Sequence, residues 1–194
     1  MLTSRETLVS AKPRIERAAL EVFVREGVDA ATTRAIASEA GVSEGALYRH
    51  YRSKDELAAS LFMTVHRRLS TLIEDSAAEA DGIRDKAAAI VRAYCQVADE
   101  DWLTFAFHLT QLHRFIPLYQ EDGRDPVTVT ENVIKQAMIN AELPPADPRL
   151  LAAMAIGVIT QTAQNKAYGR LGEDSLSAHA PLMTAAVQAV LFAR

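Results

Sequence analysis

The chain has 194 residues, of which 49% are hydrophobic, 24% charged and only 6% aromatic. That is enough apolar material for a packed core, so wholesale disorder is excluded, and the length suits one domain or two small ones. The single cysteine, Cys95, excludes an internal disulfide and a cysteine-based zinc site, and a net charge of −4 taken alone argues against nucleic acid.

Residues 1–11 read as a short flexible tail. From Lys12 the pattern turns helical. Pro13 suits a first turn, and Ile15, Ala18, Ala19, Val22 and Phe23 recur at helical spacing up to a stop at Gly27. Thr32 or Thr33 caps a short helix that runs to Ala40 and ends at Gly41, and Ser43 caps a second over about 44–50. Ser53 and Glu56 form a capping box for a long helix from Lys54 to about Ala80. Segment 83–99 is one helix and 101–116 another, ended near Pro117, with a loop over 117–125. Asp125-Pro126 and Asp147-Pro148 each place a capping residue before a proline. They start helices that run to about Ala141 and about Gly169. A final helix covers 175–193, with Pro181 as a kink or a late start. No alternating strand pattern of useful length occurs. The expected fold is all-α, about nine helices. It comprises a three-helix helix-turn-helix head (1–54) and a helical body (55–194).

The charges divide the same way. Residues 1–54 hold 9 Lys/Arg against 7 Asp/Glu, and residues 55–194 hold 12 against 18. A basic head that met DNA would leave the acidic body repelled by phosphate. In the head, Ile36, Ala37, Ala40, Val42 and Leu47 supply the apolar faces of the two short helices. Ser43, Glu44, Gly45, Tyr48, Arg49 and His50 are left outside. Gly45 and Ala46 allow close backbone approach, and Arg49 reaches base edges or phosphate. Thr32, Thr33, Tyr48, Tyr51 and Lys54 suit phosphate, and Glu44 either accepts from cytosine or faces water.

The segment TTRAIASEAGVSEGALYRHYRSKDEL, preceded by VFVREG, resembles the tetracycline-repressor (TetR) family of bacterial transcriptional regulators over about residues 12–60. Ile36, Ala37, Ala40, Gly41, Val42, Ser43, Leu47, Tyr48, Lys54 and Leu57 match the family pattern. Tyr51 stands where phenylalanine is commoner. The resemblance implies a homodimer on a pseudo-palindromic double-stranded DNA operator, with recognition helices about 34–36 Å apart. It also implies a body that binds a small-molecule effector, which shifts the separation of the heads.

In the body, Trp102, Phe105, Leu109, Leu112 and Ile116 form a stripe that reads first as core. His108, Gln111 and Phe115 lie beside it, a polar pair next to aromatics of the kind that orients a ligand. Trp102, Phe105, Tyr94, Met138, Gln161 and Asn165 complete the effector candidates. His108 and His113 are five apart, which suits a shared helix face poorly, so no metal is expected, and no cofactor either. Leu150, Leu151, Met154, Val158 and Thr162 form one candidate dimer stripe. Leu182, Ala186, Val190 and Leu191 form the other. An all-α enzyme is the competing reading, but no nucleophile elbow, metalloprotease motif or phosphate loop supports it. A helical adaptor is the third reading. The run His66-Arg67-Arg68 is too short for stable membrane binding, and no stretch reaches the roughly 18 apolar residues of a membrane helix. The N-terminus lacks a hydrophobic signal core, so a cytoplasmic protein without a membrane partner is expected.

Overall fold

The computed structural model describes the backbone of residues 4–118 and 125–193, and the side chains of residues 11–117 and 125–193. Among the described residues there are ten α-helices and no strand. They are α1 Ser4–Glu26, α2 Thr33–Glu39, α3 Glu44–Tyr48, α4 Lys54–Glu79 and α5 Gly82–Glu100. Then come α6 Trp102–Thr110, α7 Leu112–Phe115, α8 Pro126–Ile139, α9 Pro148–Ala167 and α10 Ala180–Leu191. Two 3₁₀ turns, Ile116–Leu118 and Leu176–His179, complete the order. None of these helices is long and apolar enough to cross a membrane.

Side-chain caps set most of the helix starts. Thr32 Oγ1 accepts from the Ala35 N–H at 3.1 Å and Ser43 Oγ from the Ala46 N–H at 3.2 Å. Asp125 and Asp147 do the same ahead of Pro126 and Pro148. At α4 the Ser53 hydroxyl accepts from the Glu56 N–H at 3.1 Å. The Glu56 carboxylate reaches back to the Arg52 N–H at 2.7 Å, one residue earlier than in a standard capping box.

Three boundaries differ from the sequence reading. The first helix begins at Ser4, so Pro13 lies inside it and residues 4–11 are not a tail; residues 1–3 lie outside the described residues. Segment 101–116 is not one helix. The Gln111 N–H is shared between the Phe107 and His108 carbonyls, α6 stops there, and a separate turn, α7, follows. The final segment begins as a 3₁₀ turn, and α10 starts only at Ala180, with Pro181 in its first turn. The Asp99 carboxylate holds that turn to α5 by accepting from the Leu176 and Ser177 N–H groups at 2.7 and 2.9 Å. Of the loop expected over 117–125, residues 119–124 lie outside the described residues.

The chain divides into two compact units, 1–64 and 65–194. The boundary falls inside α4, whereas the composition boundary read from the sequence falls where that helix begins. In the first unit Ile15, Val22 and Phe23 of α1 are buried, with Ile36, Leu47, Leu57 and Phe62. Each such side chain contributes about 1.5–3 kcal/mol on burial. In the second unit α9 packs against α6, α8 and α10, and α5 against α6, α8 and α10. The face of α5 carrying Ile83, Ala87, Val91, Cys95 and Ala98 repeats every three or four residues and is wholly buried. Burial pushes the Cys95 thiol up to about 12, with the Asp99 charge adding to it, which makes it an inert core group.

Candidate nucleic-acid interface and effector cavity

In the first unit, α2 and α3 form a helix-turn-helix whose turn is held from α1. Gly41 has φ +62°, which favours glycine. A Cβ there would meet Arg14 Nη2 at 2.8 Å. That same nitrogen donates to the Ala40 carbonyl at 2.5 Å and the Gly41 carbonyl at 3.1 Å. Arg14 therefore satisfies the carbonyls that the end of α2 leaves open.

Thr32, Ser43, Glu44, Gly45, Tyr48 and Arg49 are exposed, and Thr33 is half-buried beside them. The Thr33 hydroxyl lies 3.3 Å from Glu44 Oε2 and 3.2 Å from the Tyr48 hydroxyl. A threonine has one hydroxyl proton, and a carboxylate can only accept. Thr33 thus donates to Glu44 while Tyr48 donates to Thr33. This chain joins the start of α2 to both ends of α3 and holds the exposed face of α3 in one geometry.

Four expected contact residues sit differently. Ala46 is buried and packs α3 onto the head. His50 is half-buried, with its Nε2 enclosed. Tyr51 is 4% exposed, and its hydroxyl donates to Glu16 at 2.5 Å. Its phenol is pushed up by burial first and by the Glu16 bond second. Lys54 Nζ donates to the Asp29 carbonyl at 2.5 Å and the Ala31 carbonyl at 2.9 Å, tying the α1–α2 loop to the start of α4. The phosphate roles read from the sequence for Tyr51 and Lys54 meet side chains already engaged within the head.

In the second unit, residues of α4, α5, α6, α8, α9 and α10 surround a cavity of about 980 Å³. That is the upper end of the range for ligand sites, about 300–1,000 Å³. Most of the wall is aliphatic: Leu69, Ile73, Ile83, Ile90, Val187 and Leu191 among others. Its polar part includes His66, His108, Asp125 and three threonines, 128, 130 and 160. His66 Nδ1 and His108 Nε2 lie 3.2 Å apart, and both rings are buried. One nitrogen donates and the other accepts, so two neutral rings satisfy the contact and two charged rings do not. Burial lowers both below the ordinary histidine range; the His66 charge adds to this at His108, and Asp125 opposes it at His66. Burial would raise Asp125, but the Thr128 hydroxyl and the Thr128 and Val127 N–H groups outweigh it, and His66 adds to them, so it stays ionised.

Of the effector candidates read from the sequence, Tyr94 and His108 line this cavity. Phe105 does not. It fills the core between Tyr94, at a ring distance of 4.9 Å edge-on, and Trp102 at 6.2 Å. Trp102 and Met138 pack on the outside of the same core, and Phe115 is buried away from the cavity. Gln111 spends its backbone on the break after α6. Gln161 is exposed, and its carbonyl accepts from Asn165. The sequence reading missed His66, Asp125 and the threonines. His66 looked like part of a basic run, and Asp125 carried a capping signal alone. Of the dimer candidates, Leu150, Met154 and Leu182 are exposed. Leu151, Val158, Thr162, Ala186 and Val190 are half-buried, and Leu191 is buried and lines the cavity.

These features define an all-helical protein with a helix-turn-helix head and a hollow helical body. Residues 15–61 match the bacterial regulatory proteins of the tetR family, a likeness carried by the head. It is 36% identical over 69 residues to the HTH-type transcriptional regulator SAB2452 of Staphylococcus aureus (strain bovine RF122 / ET3-1). That match covers 36% of this chain and 36% of the relative. The chain spans between about a sixth and two fifths of the length of the first curated relatives it matches: 36%, 17% and 42%. The fold extends the likeness to nearly the whole chain. The fatty acid degradation regulator FadR from Bacillus halodurans superposes with a TM-score of 0.78 at 20% identity, covering 94% of this chain and 99% of that one. FadR from Bacillus subtilis, in complex with stearoyl-CoA, gives 0.76 at 20% identity, covering 93% and 97%. The family and these relatives are regulators rather than enzymes.

Proposed function

We propose that the protein is a ligand-responsive transcriptional regulator. In this reading it acts as a repressor that binds a pseudo-palindromic operator as a homodimer and leaves it when a small, mostly apolar effector occupies the body. The observation that carries the reading is the pairing of a tetR-family head with a largely aliphatic cavity of about 980 Å³. The Bacillus subtilis FadR complex with stearoyl-CoA supports it, because a protein of the same fold takes a ligand that carries a long apolar acyl chain. Residues 43–49 enter the major groove, with Arg49 and Glu44 at base edges and Thr32, Thr33 and Tyr48 toward the backbone. The exposed Leu150, Met154 and Leu182 pair the subunits through α9 and α10. Effector binding favours a spacing of the heads other than one helical turn and releases the DNA by linkage.

The test is fluorescence anisotropy with duplexes tiling the DNA on either side of the gene, at several salt concentrations. Tight, sequence-selective binding that weakens steeply with salt is expected. Equal, weak binding to every duplex overturns the operator reading.

A further inference from the structure

The cavity's polar groups restrict the chemistry of what can enter, and this inference rests on the effector reading above. The three threonine hydroxyls of the wall have already committed their protons. Thr128 donates to the Asp125 carboxylate at 2.5 Å, Thr130 to the Pro126 carbonyl at 2.8 Å and Thr160 to the Ile156 carbonyl at 2.9 Å. Each therefore turns only acceptor lone pairs toward a ligand. Asp125 adds a negative charge whose oxygens already take three hydrogen bonds. The described lining has one permanent cation, Arg149. Its side chain is 81% exposed, with Nε 3.5 Å from Glu131. The His66–His108 contact is met by two neutral rings.

A carboxylate buried here would face these acceptors and another carboxylate, with only neutral donors in the described lining, the Tyr94 hydroxyl and a histidine N–H, to meet its charge away from the exposed Arg149. A buried charge without partners is strongly disfavoured. We propose that the cavity takes a non-anionic amphiphile, an apolar body ending in a hydrogen-bond donor such as a hydroxyl or an amide N–H, and rejects the corresponding carboxylate.

The probes are 1-decanol, decanoate and decyl methyl ether, competing at pH 7.5 against the uncharged dye Nile red on the full chain. Uptake of Nile red that is lost in Ala87→Trp locates the competition in the cavity. Decanol is expected to bind about tenfold or more tightly than either analogue, the ratio expected when a buried acceptor gains or loses its donor. Thr160→Val and Thr130→Val keep the side-chain shape and remove an acceptor. They should bring decanol toward the ether, and leave the ether unchanged. If decanoate or the ether matches decanol, the donor requirement is wrong while the cavity reading stands. Failure of Nile red to bind overturns both.

Discussion

Lys54 illustrates how one side chain changes role once its surroundings are known. Its ammonium group donates to two carbonyls of the α1–α2 loop, those of Asp29 and Ala31. Lys54→Met keeps the stem and removes both bonds. The expected cost is about 1–2 kcal/mol of head stability, read as a lower thermal midpoint. Tyr48→Ala is the contrasting change. Tyr48 is 51% exposed, so the midpoint should hold while operator affinity falls. If Lys54→Met lost DNA binding at unchanged stability, its anchoring role would be wrong. The local pattern made the exposure of Tyr48, Arg49 and Ser43 legible, because each is defined by its place on or beside one short helix. It left the intramolecular partners of Tyr51 and Lys54 unseen. Their partners, Glu16 and the carbonyls of Asp29 and Ala31, lie 23–35 residues away, and no local spacing encodes such bonds.

Among the elements, caps were the most legible feature, since a cap is a contact between residues two or three apart. Ser43, Asp125 and Asp147 all bond as their sequence context implies. The break after α6 was not legible. Its apolar spacing runs on through Leu109, Leu112 and Ile116, and no glycine or proline marks Gln111. Only the shared N–H of Gln111 ends the helix. The short helix α3 depends heavily on its cap. At five residues it is far too short to hold itself together, so its geometry is borrowed from Ser43, the Leu47 packing and the Thr33–Glu44–Tyr48 chain. Ser43→Ala should cost about 1 kcal/mol in chemical denaturation. Operator affinity should fall with it, because the same frayed turn carries Glu44 and Arg49. An affinity that stayed intact would mean the bound DNA, and not the cap, orders α3.

At the scale of the whole molecule, assembly and acid response are separable. Leu150→Glu with Leu182→Glu places charge on the exposed faces of α9 and α10. The double variant should sediment as a monomer and bind the operator more weakly, while a dimer that persists would place the interface elsewhere. An acid response is expected from the His66–His108 pair, which brings together residues 42 positions apart and was invisible to any reading of spacing. Burial holds both rings below the ordinary histidine value of about 6.5, so in acid the unfolded chain takes up protons that the folded chain refuses. Their contribution is fully present above about pH 6.5 and is lost as the pH falls below it. The depressed carboxyls Asp99 and Asp125 have the same sign, yet their losses begin only as the pH approaches the ordinary carboxylate range of about 4. Between pH 7 and pH 5 the pair therefore supplies its own slope, about 1–2 kcal/mol of stability. His66→Gln with His108→Gln keeps polar groups in the same space and removes the titration. Urea denaturation at pH 7, 6 and 5 should show the native protein weakening and the double variant holding nearly level. Equal slopes for the two proteins would mean the pair is not what acid attacks first.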